Sequence, residues 1–221
     1  MIGLVLVVAG LGLATGTIDP GTPPCPPEVE HHHRIRFWLT PSATGATDAT
    51  DAAEHAFLQA QVARANGLFV GIDTCFEAIA ERLDAAPRVT TRAERDALGK
   101  GRFAPGEVHV FVVDRLDDVD EPADADGELV QIRGVHWRDR ADRARRWIIL
   151  SRVAPPHVLA HELGHFFSLP HGTDPTSIMN KTWRATPREE ERVFTRTELT
   201  RMKGAAKRMR RSRFLIDLPK S

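Results

Sequence analysis

The sequence predicts an α+β fold, a twisted mixed sheet of about five strands carrying a long scaffold helix, a short helix with paired histidines and a C-terminal helix. Three observations predict it. Ile35, Phe37 and Leu39 alternate with Arg34, Arg36 and Trp38, the two-residue period of a half-buried strand. Residues 107–113 are almost continuously apolar, as a strand covered on both faces requires. Between and after such runs lie stretches with helical spacing and recognisable caps. At 221 residues and 42% hydrophobic content the chain can bury a full core, and one domain with tails is expected. Lys plus Arg equals Asp plus Glu at 30 each, so net charge predicts neither a nucleic-acid partner nor a membrane surface.

Taken in order, residues 1–16 are apolar and uncharged, too short to span a bilayer comfortably and of signal-peptide length. Ala14 and Gly16 are spaced as a cleavage site, although no Lys or Arg precedes Arg34. Secretion, or a periplasmic or cell-surface location, is therefore expected, with no membrane span left after cleavage. Residues 17–33 form a linker, proline-rich from Thr22 to Pro27, that ends in His31, His32 and His33, expected as a solvated surface feature. The main domain is placed at 34–216 and a tail at 217–221, and the chain is expected to act as a monomer. Pro41 ends the first strand. Residues 48–66 read as the long helix, with Ala53, Phe57 and Ala60 on one face and Asn66-Gly67 as its stop. A strand is expected within 72–83, although 77–83 would also suit a helix, and a short helix over 90–98 with Thr91 and Glu94 as a capping box.

Residues 114–128 are strongly acidic. Asp124 and Asp126 beside Gly127 offer hard oxygens to a calcium ion, but the twelve-residue calcium-loop pattern is absent and a solvated loop is the simpler expectation. Residues 129–137 and 146–150 read as strands. Pro155 and Pro156 open the next helix, where a missing N–H costs nothing. Residues 181–192 read as a polar loop. Thr195 and Glu198 cap the last helix, which turns Leu199, Met202, Ala206 and Met209 inward and a basic, solvated face outward.

The chemistry concentrates in residues 161–171, HELGHFFSLPH. His161 and His165, four apart on a helix, share a face and can converge on one cation. Glu162 can reach a water there without being a ligand, as a general base must. Pro170 forces the chain to turn, so His171 can swing back as a third nitrogen ligand. Three protein ligands leave a fourth tetrahedral position open, the mark of a catalytic rather than a structural zinc site.

This motif, with His171 six residues after His165 and followed by Ser177-Ile178-Met179-Asn180, resembles the metzincin zinc proteases. The run from His171 to Met179 is similar to the matrixin-like and pappalysin-like members, including small secreted bacterial ones. The resemblance implies a zinc-dependent endopeptidase that hydrolyses peptide or protein substrates with a metal-activated water. His161, His165 and His171 would be the ligands, Glu162 the base, and Met179 the apolar floor beneath the metal. It also implies that residues 129–137 form an antiparallel edge along which a substrate pairs. Ser168 stands where the family has glycine, which predicts a left-handed serine at a cost of about 1 to 2 kcal/mol. Some metzincins add a tyrosine after the methionine turn, and this chain has none.

Cys25 and Cys75 carry two readings, a disulfide stapling the linker to the domain, or Cys25 as a thiolate that blocks the zinc as in matrixin prosegments. Two rivals to the protease reading remain at this stage. One is a gluzincin with Glu189, Glu190 or Glu191 as third ligand. The other is a zinc-binding protein without catalysis.

Overall fold

The computed structural model describes residues 17–42, 48–121, 129–182 and 187–219. The expected signal segment, the Asp124 to Gly127 calcium candidate and the last two residues lie outside these. Among the described residues seven strands and four α-helices follow one another as β1 (His31–Leu39), α1 (Asp48–Phe69), β2 (Thr74–Arg82), β3 (Arg88–Val89), α2 (Arg92–Gly99), β4 (Val108–Val113), β5 (Arg115–Leu116), β6 (Gly134–Arg138), β7 (Arg146–Ser151), α3 (His157–Phe166) and α4 (Arg196–Arg211). Single 3₁₀ turns cover Val70–Ile72 and Glu189–Glu191.

The main sheet has five strands in the order β2-β1-β4-β7-β6, parallel throughout except for β6, which runs antiparallel to β7 at the edge. This is the mixed α+β architecture expected. β4 is central and wholly buried, as its unbroken apolar run requires. Its side chains alternate between two cores. Val110 and Val112 join Ile35, Phe37, Ile148 and Leu150 under α1, α3 and α4. Phe111 and Val113 join Trp147, Trp137 and Ile149 on the opposite face, where α2 supplies Leu98.

Phe69, at the end of α1, gathers the first core around one ring. Phe76, Phe167 and Phe194 approach it with centroids at 5.1, 5.4 and 5.4 Å, edge-on or tilted. Such pairs add about 0.5 to 1.5 kcal/mol each beyond area burial. The helix reaches this cluster because it continues past Asn66-Gly67 rather than stopping there. Gly67 keeps a negative φ inside α1 and is not a turn residue, and the Asn66 side chain instead bonds both the N–H and the C=O of Phe76 on β2.

The inward face of α1 also differs from expectation. Leu58, Val62, Ala65 and Phe69 are buried, together with polar Glu54 and Gln61, whereas Ala53 and Ala60 are exposed. The polar pair is buried because it is paired. Glu54 accepts from Arg82 of β2 and Arg152 after β7. The Gln61 amide donates to the carbonyls of Ala154 and Pro155 and accepts from the N–H of Leu159. It thus supplies the cap that Pro156, the residue before α3, cannot.

Two boundaries move. His31, His32 and His33 belong to β1 rather than to the linker, and His32 and His33 are buried at 5% and 0% exposure. The strand expected over 129–137 is confined to β6, with Gln131 making only an isolated bridge to Asp117. Other expectations hold. α2 and α4 both begin with the capping boxes of Thr91 with Glu94 and Thr195 with Glu198. Met202, Ala206 and Met209 face inward, with Ala205 beside them and Leu199 half-buried. Cys25 and Cys75 form a disulfide, which rules out the thiolate-switch role for Cys25.

Candidate metal centre

α3 presents His161 and His165 on one face, and the chain then reverses sharply. The Leu169 N–H bonds the Gly164 carbonyl and the Ser168 N–H bonds that of His165, so the helix ends in a Schellman motif with Ser168 at the left-handed position, φ 73°. The serine predicted to be strained is therefore the residue just past the Phe167 C-cap, where the motif's backbone bonds offset part of the cost. The reversal returns His171 to the other two histidines.

One nitrogen from each of His161, His165 and His171 lies within 4.8 Å of the others, and the facing Nε2 atoms of His165 and His171 are 3.2 Å apart. The ring tautomers are fixed from behind. His161 Nδ1–H donates to the Ile178 carbonyl at 2.7 Å, and His165 Nδ1–H to that of Leu169 at 2.8 Å. Each Nε2 is then a lone pair aimed at the common centre. Burial holds all three imidazoles below their ordinary pKa, His171 also through the charges of His161 and Lys181. Neutral rings with convergent lone pairs and a borderline-soft nitrogen donor set fit a tetrahedral zinc ion with one position open.

Glu162 is buried beside the triad and accepts the backbone N–H of His136 on β6. Burial pushes its carboxyl up to about 7, against the opposing pull of His165, that N–H and Arg95. Close approach of β6 to α3 makes this bond possible, and it depends on Gly134. A Cβ there would lie 2.6 Å from Val158 and 3.1 Å from Glu162.

Met179 is fully buried under α3. A Cβ on Gly164 would sit 2.5 Å from its sulfur, so the glycine inside the histidine motif is what admits the methionine. The turn is held from both ends. Ser177 Oγ accepts the Met179 N–H and donates to Glu198, and the Asn180 amide donates to the carbonyls of Thr173 and Asp174. Sequence reasoning passed over Gly164 and Gly134, although a glycine inside a helix pattern is itself a signal of close packing. Glu189 pairs with His157 at 3.4 Å, and His171 occupies the third corner that a gluzincin would give to a glutamate.

The triad lies between two cavities that share β6 as a wall. One, of about 340 Å³, is bounded by Gly134, His161, Glu162, Ile178, Asn180 and Glu189. The other, of about 840 Å³, is bounded by His136 to Arg140, His165 and Ser168.

Fold and site together define an α+β protein with a three-histidine cluster that could hold a metal ion. No family model matches the sequence, and no curated protein matches it. Among solved structures, metalloproteinase-II from Bacteroides fragilis is similar at 12% identity and a TM-score of 0.49, over 81% of this chain and 55% of that one. Archaemetzincin from Methanopyrus kandleri is similar at 15% identity and a TM-score of 0.49, over 79% of this chain and 96% of that one. A chain from a chaperone–substrate complex is similar at 12% and 0.49, over 82% of this chain and 38% of that one. This chain thus spans about half of the first and well under half of the third. With TM-scores below 0.5, what it does has to be read from its own residues.

Proposed function

We propose that this chain is a zinc-dependent endopeptidase of the metzincin type, similar to the small matrixin-like or pappalysin-like members. The observation that carries this is the convergence of three imidazole nitrogens beside a buried carboxylate at the edge of a sheet. His161, His165 and His171 would hold the metal. Zinc, when bound, would act as a Lewis acid on the peptide carbonyl and lower the pKa of its water to about 7.

The remaining steps belong to the chain. Among the described residues β6 has β7 as its one sheet neighbour, so its other edge can take up an extended peptide through backbone hydrogen bonds. Glu162 takes a proton from the attacking water and passes it to the leaving amine, a task suited to a carboxyl whose pKa lies near neutrality. Met179 and Gly164 fix the floor, and the Ile178 and Leu169 carbonyls fix the rings. Action outside the cytoplasm is part of the proposal and is supported by the Cys25–Cys75 disulfide. Among the described residues no helix is long and apolar enough to cross a membrane.

The test is digestion of casein or gelatin by the purified protein, its chelated form and Glu162→Ala. Expected are cleavage by the first, none by the second, and a fall of about 10²- to 10⁴-fold in the third with one zinc per chain retained. A wild-type protein that holds zinc and cleaves nothing would be the non-catalytic binder instead. Undiminished turnover by Glu162→Ala would remove Glu162 from its role.

A further inference from the structure

The two cavities flanking the triad differ in charge. The larger is walled by Arg92, Arg138, Arg140, Arg143 and Arg201, with Asp139 as the one carboxylate of its lining. That carboxylate is already engaged, accepting the N–H groups of Ala141 and Asp142 and pairing with Arg145. Arg92 pairs with Asp120. Among the described residues, Arg138, Arg140, Arg143 and Arg201 form no ion pair, and all four are exposed. Arg138 and Arg143 also line an adjoining hollow whose wall includes Arg146 and Arg208, so the basic surface continues along α4. The smaller cavity is more evenly balanced: Glu162 and Glu189 stand against Arg133 and Lys181, and Arg192 is buried and bonded to the carbonyls of Asn180 and Thr182.

A cleft with one sign of charge and several uncommitted guanidinium groups gathers anions. Its position selects among them. The same cavity is bounded by His165 of the triad and by β6 from His136 to Arg138, so an occupant there is continuous with a chain lying along the β6 edge. Antiparallel pairing, the better-bonded arrangement, sends the amino-terminal part of such a chain past Arg138. Since Glu162 meets β6 at His136, Arg138 lies two residues, about 7 Å, from the point of attack.

We propose that the arginine-walled half of the cleft is a specificity site for acidic peptide segments, taking Asp or Glu two to four residues to the amino side of the cleaved bond. The proposal rests on the peptidase reading for its register but not for its ligand chemistry.

The experiment uses the full protein and three labelled peptides with one common core. They carry Asp-Glu-Asp on the amino side, the same triplet on the carboxyl side, or Ser-Gly-Ser. At low salt the first is expected to exceed the neutral peptide in kcat/KM by about tenfold, as a few exposed ion pairs allow. That ratio should fall toward one in 1 M salt, where the screening length is about 3 Å, and in Arg140→Ala/Arg143→Ala. Lys207→Ala/Arg211→Ala on the outer face of α4 should leave it in place. Anisotropy of the same peptides on Glu162→Ala reads binding without turnover. If nothing is cleaved but the acidic peptide binds and the arginine double variant loses it, the acidic site stands and the peptidase reading falls. Equal kcat/KM for all three peptides, a preference for the carboxyl-side triplet, or equally good competition by a single-stranded oligonucleotide of matched charge would each overturn the proposal.

Discussion

Two triplets of histidine occur in this chain, and only one converges. His161, His165 and His171 are spread over eleven positions yet bring three ring nitrogens within 4.8 Å. His31, His32 and His33 are consecutive and never meet at one point. In a strand, neighbours face opposite ways, so His31 and His33 stack on one side of β1 with centroids 6.4 Å apart, while His32 turns to the other side toward Glu77. His33 is spent on structure, its Nδ1–H donating to the Ile216 carbonyl. Proximity in sequence is thus a poor guide to coordination, whereas a helical i, i+4 pair plus a reversal is a good one.

The sharpest way to break this contrast is His165→Ala beside His32→Gln. The first is expected to lose bound zinc and at least about 100-fold in peptide cleavage, and the second to retain one zinc per chain by elemental analysis. Equal metal loss in both would abolish the distinction. The backbone that makes the first triplet converge can be probed next. Gly164→Ala drives a methyl against the Met179 sulfur and should cost about 1 to 3 kcal/mol in chemical denaturation. Ser168→Gly relieves a side chain at φ 73° and should stabilise by about 1 kcal/mol, with the zinc site intact.

The smallest effect is read from pH, at the second triplet. Burial holds His33 below its ordinary pKa, outweighing the Ile216 carbonyl and Asp217, while Arg210 and His31 push the same way as burial. His109 is held down by burial too; its Nδ1 accepts from the Trp38 indole, a bond that protonation would remove. Both groups are more readily protonated in the unfolded chain. Their contribution is therefore complete above about pH 6.5 and is lost as pH falls through the lower folded values. The melting temperature of the metal-free protein should drop by a few degrees between pH 7 and 5, and His33→Asn should flatten that slope. Because the other buried histidines and Glu162 titrate in the same window, the comparison with the variant carries the test, and equal slopes in the wild type and His33→Asn would show the His33 ring to be energetically silent.

Much of this was legible in sequence because the local rules were strong. The capping boxes at Thr91 and Thr195, the buried run of β4, the inward methionines of α4 and the left-handed Ser168 each follow from residue types at fixed spacing. Other features needed the third dimension. Glu54 and Gln61 look like solvent-facing residues of α1 until Arg82, Arg152 and the start of α3 are in place to receive them. Asn66-Gly67 looked like a stop, and the helix runs on because Phe69 has three aromatic rings to join. The arginine cleft was invisible for the same reason, since β6, the turn after it, α2 and α4 each bring arginines from distant parts of the chain.

The amide of Gln61 has a consequence in time. It receives the Leu159 N–H from 98 positions further along. A ribosome releases the chain from its amino end, so this receptor for the histidine helix is synthesised before the helix, and His171 and Met179 emerge later still. Loading of the metal therefore has to await the synthesis of His171, 110 positions after Gln61, and a nascent chain halted between the two would carry the dock without its cargo.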